Sequence, residues 1–189
     1  MSDDRTRTGI AGLDEMLNGG IPRGRVVLAM GGPGTGKTIL CAQFLVNGIK
    51  KFGENGVFVT LEETPEHIFE EMDQFGWNLS EMEKSGKLRL VDASPIRRMP
   101  SELKLGKVSI EKGEFSMIAL INAIQENVKE IGAKRIVIDT LSALVFQYPE
   151  KNERRTAILD LVQAIIDWSH LFNYLRSKVC WGIRKNYAR

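Results

Sequence analysis

Cysteine is nearly absent from this chain. Cys41 and Cys180 are the two present and no Cys-x-x-Cys pair occurs, so neither a disulfide framework nor a zinc ribbon is expected. Histidine is as scarce, with His67 and His170 alone, which leaves no histidine cluster for a metal. No apolar run approaches the ~20 residues that cross a bilayer, and the polar start Met1-Ser2-Asp3-Asp4-Arg5 is unlike a secretory signal. The expectation is a cytoplasmic chain with no membrane partner. There is no internal repeat, and 189 residues at 43% hydrophobic and 26% charged suit one globular core. A basic excess is lacking too. The formal net charge is +2, and it arises in residues 167–189, where Arg176, Lys178, Arg184, Lys185 and Arg189 face the single acid Asp167. Without that tail the chain is slightly acidic. Net charge therefore argues for nucleic acid only through the tail.

What is there begins at Gly31-Gly32-Pro33-Gly34-Thr35-Gly36-Lys37-Thr38, between the apolar run 26–30 and the helix-forming stretch 39–51. A strand delivers the chain to a glycine-rich turn whose N–H groups can point into one concavity, and a helix N-terminus adds partial positive charge. Polyphosphate suits such a nest. Gly32, Pro33, Gly34, Thr35, Gly36, Lys37 and Thr38 are the candidate binding residues, with Lys37 reaching the β- and γ-phosphates and the Thr38 hydroxyl taking a place on Mg²⁺. A plain glycine-rich turn would not need the flanking strand and helix.

Two further strand ends complete the candidate site. Strand 135–139 is a short apolar run closing on Asp139, and ligands of open parallel sheets sit outside the carboxyl ends of their strands. Asp139 can thus face the same Mg²⁺-nucleotide, although it could instead cap the following turn. The stretch Gly56-Val57-Phe58-Val59-Thr60-Leu61-Glu62-Glu63-Thr64-Pro65 ends another strand, expected over 56–62, in paired acids. Strand neighbours point to opposite faces, so at most one of the pair should project toward a γ-phosphate. Glu62 is the favoured catalytic acid and Glu63 the second candidate. Locally, Thr64 and Pro65 read as N-cap and first helical residue, which gives Glu63 and Glu66 an alternative role beside the helix dipole.

The remaining pattern alternates: strand 25–30, helix 36–51, helix 65–75, a short helix at 79–84, strand 87–92, helix 116–131 and helix 153–167. Alternation of this kind predicts a parallel α/β sheet. Residues 94–113 form the longest irregular stretch, with a small hairpin expected in its middle.

These residues, with Thr8-Gly9-Ile10-Ala11-Gly12-Leu13-Asp14, Gly19-Gly20-Ile21-Pro22-Arg23-Gly24, Phe75-Gly76-Trp77 and Ile138-Asp139-Thr140-Leu141-Ser142-Ala143-Leu144, occur in an order that resembles the RecA-superfamily ATPases of the KaiC-like group. The resemblance implies an α/β P-loop NTPase fold: a RecA-like, mostly parallel sheet with helices on both faces. It implies ATP and Mg²⁺, with Lys37 and Thr38 at the phosphates and metal, Asp139 at the metal through water, and Glu62 and Glu63 as catalytic carboxylates. Assembly into a homo-oligomeric ring or filament also comes from the resemblance alone.

The match stops near residue 167. The expectation is an ATP-binding domain over 1–167 that lacks the last core strands, followed by an atypical basic, aromatic tail over 168–189 in which no clean strand is legible. Either the chain is a shortened family member, without the cationic finger that relatives extend to a neighbour's nucleotide, or the tail's aromatics cover a sheet edge. Three function classes remain: an ATPase, a nucleotide-gated regulatory or assembly protein with little hydrolysis, and a recombinase-like DNA-binding ATPase. For the last, Lys151, Arg154 and Arg155 in the segment 146–155 could meet a phosphate backbone, though Glu150 and Glu153 interleave with them. A guanine-reading Asn-Lys-x-Asp is missing, and the ordered match weighs against a metabolite kinase of another phosphate-loop fold.

Overall fold

Short β-branched runs separated by helical stretches assemble into one parallel sheet in a computed structural model. It describes residues 5–93, 103–105, 108–110, 114–142, 148, 150–172 and 177–181, with backbone alone for 103–105, 108–110, 114–116, 168–172 and 177–181. Along the chain come β1 (Arg5–Thr6), α1 (Leu13–Met16), β2 (Ile21–Pro22), β3 (Val26–Ala29), α2 (Lys37–Phe52), β4 (Gly56–Thr60), α3 (Pro65–Asp73) and α4 (Leu79–Lys84). There follow β5 (Leu88–Asp92), β6 (Leu103–Leu105), β7 (Val108–Ile110), α5 (Glu114–Ile131), β8 (Arg135–Asp139), α6 (Lys151–Phe172) and β9 (Ser177–Trp181). The main sheet runs β3-β9-β8-β4-β5, parallel throughout.

Alternation along the central strands divides the core in two. Val57, Val59, Ile136 and Ile138 meet Leu120, Ile124, Leu161 and Ile165 of α5 and α6 on one face. Phe58 and Val137 meet Phe44 and Leu45 of α2 on the other, together with Leu88 and Leu90. Every residue of β4 is buried, as expected of a strand covered on both faces. Each large apolar side chain buried this way contributes about 1.5–3 kcal/mol. Among the described residues no helix is long and apolar enough to cross a membrane.

The tail departs from expectation. Ser177–Trp181 forms β9, inserted between β3 and β8 with Val26 opposite Lys178 and Ile138 opposite Cys180. Hydrogen-bonding demand at a vacant slot between two parallel strands outweighs the weak strand propensity of the segment. α6 likewise runs to Phe172 rather than ending at 167. The side chains of Trp168, Phe172, Tyr174, Trp181 and Tyr187 lie outside the described residues. The expected hairpin is present as the antiparallel pair β6-β7.

The N-terminal segment is tied down by two hubs. The Asp14 carboxylate accepts from the Thr8 amide and hydroxyl, each at 2.7 Å, and from the Gly9 amide at 2.9 Å. Partial burial works against the charged form, but these donors and nearby Arg7 hold the carboxyl below its ordinary range. Deeper in, Arg135 opens β8 with its side chain 1% exposed; Nε donates to Glu54 Oε2 at 2.7 Å and the other nitrogens to the carbonyls of Phe44 and Arg7. Its guanidinium also lies 4.5 Å from the Phe44 ring centre and 5.1 Å from that of Phe52. The residue after β1, helix α2 and β8 therefore meet at one cation.

Candidate functional site

The loop between β3 and α2 turns where its glycines permit. Gly36, the residue before α2, sits at φ 78° and Gly34 at φ 73°, a left-handed backbone that costs other residues about 1 kcal/mol or more. The first amides of α2 have no partner within the helix and face outward with its positive dipole end. Lys37 Nζ folds back to donate to the Gly32 carbonyl at 2.8 Å, and Thr35 Oγ1 donates to the same oxygen at 2.9 Å. Gly32 thus organises the loop through its carbonyl.

Asp139 ends β8 beside this loop, and Thr38 Oγ1 donates to its Oδ2 at 2.7 Å across 101 residues of sequence. The alternative of Asp139 as a simple turn cap does not describe this contact. Burial pushes the Asp139 carboxyl above its ordinary range; donation from Thr38 opposes that, Glu63 adds to it, Lys37 opposes it and Glu62 adds to it. A half-buried carboxylate influenced by two more carboxylates favours a cation beside it. Paired hard oxygens from Thr38 and Asp139 fit Mg²⁺, which takes one or two protein oxygens and completes its shell with water and substrate phosphate. Among the described residues no group of three or more His, Cys, Asp or Glu could hold a metal ion.

Glu62 and Glu63 both line a cavity beside the loop. β4 stops at Thr60, two residues short of the expected end, and the backbone turns. Thr60 Oγ1 donates to the Glu63 carbonyl at 2.7 Å and accepts from the Glu63 amide at 3.2 Å. Once the chain leaves the strand, the two-residue alternation no longer holds. Glu62 is exposed and Glu63 half-buried, with Glu63 Oε2 3.6 Å from His67 Nδ1. Thr64 caps α3 through the His67 amide and Pro65 follows it, as the sequence suggested.

These groups surround a cavity of about 400 Å³. Pro33, Gly34, Lys37 and Thr38 line it from the loop, Asp139 from β8, and Glu62 and Glu63 from beyond β4. Gly32, Thr35 and Gly36 act on it through the loop's internal bonds and helix start. Thr60, Thr140 and Ser142 also line it and were given no role from sequence. Thr140 and Ser142 could have been flagged by their adjacency to Asp139, but Thr60 reads as an ordinary strand residue. Elsewhere, Arg154 is partly occupied with the Glu150 carbonyl, and Lys151 and Arg155 are exposed beside Glu150 and Glu153. Residues 146, 147 and 149 of that segment lie outside the described residues.

A sequence model of the family described as "ATPase: KaiC" matches residues 6–170. A UPF0273 protein of Aeropyrum pernix is 41% identical over 159 residues, which are 84% of this chain and 63% of that protein. A circadian clock oscillator protein KaiC of Nostoc is 42% identical over 159 residues, 84% of this chain and 29% of that one. The crystal structure of a KaiC-like protein from Pyrococcus horikoshii superposes with a TM-score of 0.76 at 32% identity, covering 98% of this chain and 73% of that chain. The chain therefore spans less than two thirds of the length of these two curated relatives.

Proposed function

The chain belongs to the KaiC ATPase family, with an α/β P-loop fold of RecA-like type, and from that premise we propose that it binds Mg²⁺-ATP at the 31–38 loop and hydrolyses it. The observation that carries this reading is the 2.7 Å contact between Thr38 and Asp139, which joins the loop to a strand tip at the cavity. Loop amides and the α2 N-terminus receive phosphate oxygens, and Lys37 exchanges the Gly32 carbonyl for the β- and γ-phosphates. Thr38, and Asp139 through water, would hold Mg²⁺, which when bound neutralises charge on the β- and γ-oxygens.

Glu62 remains open to solvent on the same cavity, so it is the carboxylate that meets a water molecule. It orients that water and takes its proton as the oxygen bonds to the γ-phosphorus. The bond to the β–γ bridging oxygen breaks, its electron pair leaves on ADP, and inorganic phosphate is released. Glu63, half-buried where Glu62 is exposed, is bonded to Thr60 through its backbone and serves as the second carboxylate. Nucleotide state then acts on assembly with further copies of the chain.

One observation favours a second reading, a nucleotide-gated protein with slow turnover: among the described residues that line the cavity, Lys37 is the single cation. Phosphoryl transfer by related enzymes gains ~10³–10⁵ from an added arginine. Phosphate release measured beside ATP affinity separates the two. For the ATPase, Glu62→Gln keeps affinity and lowers turnover by about 10² to 10⁴. Wild-type binding without phosphate release would select the gated protein, and turnover unchanged in Glu62→Gln would remove Glu62 as the base.

A further inference from the structure

We propose that the Thr60 hydroxyl is a positioning group that holds the Glu62–Glu63 turn against the cavity. This deepens the ATPase reading and rests on it.

Thr60 is 1% exposed and is the last residue of β4, opposite Asp92 of β5 and Asp139 of β8. Its main chain is locked on both sides: the Ala93 amide donates to the Thr60 carbonyl at 2.9 Å, and the next amide, Leu61, donates to the Asp139 carbonyl at 2.8 Å. The hydroxyl works in the other direction. It donates to the Glu63 carbonyl and accepts from the Glu63 amide, so one buried oxygen closes a ring around Leu61, Glu62 and Glu63. Leu61 is 1% exposed and packs into the core, which pins the turn's inner side. Between the buried Leu61 and the bonded backbone of Glu63, Glu62 has little choice but to stand out over the cavity that Thr60 itself lines. The β-strand that carries Thr60 is the same one whose neighbour ends in Asp139, so the hydroxyl sets the carboxylates relative to the loop and Asp139.

The consequence is separable from folding. Valine has threonine's shape and favours strands, yet offers Glu63 neither a donor nor an acceptor. Thr60→Val therefore frees the turn while the loop, Lys37, Thr38 and Asp139 stay as they are. Misplacing a reacting group by about 1 Å can cost ~10²-fold, so kcat should fall roughly 10- to 100-fold with KM and Mg²⁺-ATP affinity within about twofold of wild type. Thr60→Ser restores the hydroxyl and should restore turnover to within about threefold.

Wild type, Thr60→Val, Thr60→Ser and Glu62→Gln are to be compared by steady-state phosphate release, by titration with ATP and Mg²⁺, and by thermal unfolding. If Thr60→Val does not fold, Thr60→Ala supplies the hydroxyl-free chain. A selective loss of kcat, rescued by serine, supports the assignment. Turnover equal to wild type in Thr60→Val, or a loss of affinity matching the loss of turnover, overturns it. An unaffected Thr60→Val beside a disabled Glu62→Gln removes this inference alone, whereas a wild-type chain that releases no phosphate removes the ATPase reading on which it rests.

Discussion

Removing the carboxylate of Glu54 should cost this protein more stability than most single changes could. Glu54 is 6% exposed and its Oε2 lies 2.7 Å from Nε of Arg135, itself 1% exposed. Truncation to alanine removes a buried carboxylate that is bonded to a buried guanidinium, and such losses run to about 3–5 kcal/mol. For a domain of this size 1 kcal/mol shifts the melting temperature by about 2–4 °C, which places the expected fall at roughly 6–20 °C. Glu54→Gln should fall between, since its amide oxygen still accepts from Nε but carries no charge. The effect should spread to α2 and the first strand, because the same guanidinium donates to the carbonyls of Phe44 and Arg7. A double-mutant cycle with Arg135→Met, followed by urea unfolding, measures the coupling. The pair together should cost clearly less than the sum of the singles. A Glu54→Ala protein within about 0.5 kcal/mol of wild type, or strict additivity in the cycle, would refute the reasoning.

Lys37→Ala should weaken Mg²⁺-ATP binding by roughly 100-fold, the scale of lost charge-assisted bonds, as read by a fluorescent ATP analogue; unchanged affinity would contradict the cradle. Asp139→Asn should raise the melting temperature of the nucleotide-free protein at neutral pH while abolishing any gain in nucleotide affinity from Mg²⁺. The sign follows from the raised carboxyl: its stability contribution is complete below the unfolded value near 3.8 and is lost as pH rises through the folded value. The advantage of asparagine should therefore shrink as the pH is lowered toward 4, and a variant less stable than wild type at pH 7 would reverse the assigned cause. Gly48→Ala should destabilise by about 1–3 kcal/mol in urea unfolding, since an added Cβ would lie 2.6 Å from both Cδ and Nε of Arg135; a neutral effect would mean that this side chain can move aside.

Much of the nucleotide side was legible because it is written locally. The loop 31–38, the apolar run closing on Asp139 and the Thr64-Pro65 helix start each occupy a few consecutive residues whose chemistry dictates their backbone. The strands expected over 56–62 and 135–139 were found because their central residues are buried on both faces and read as short apolar runs. The short β1-β2 ladder escaped notice, since a two-residue strand leaves no period to detect. β9 escaped for a different reason. Ser177-Lys178-Val179-Cys180-Trp181 offers one β-branched residue and no alternation, and its place between β3 and β8 is set by the strands it joins. The turn after Thr60 was misjudged because a side chain bonding to its own backbone three residues on competes with the strand, and propensity does not register that. The Arg135–Glu54 pair, 81 residues apart, has no local signature at all. Arg135 inside an otherwise apolar run was its only trace.

Isothermal titration of the purified chain with ATP, in the presence of Mg²⁺ and again with the metal chelated, tests the central claim most directly. Saturable heat at one site per chain is expected with the metal, with affinity reduced by chelation and lowered by roughly 100-fold in Lys37→Ala. No heat in either condition, or binding indifferent to both the metal and Lys37, would contradict a magnesium-bound triphosphate held between the loop and Asp139.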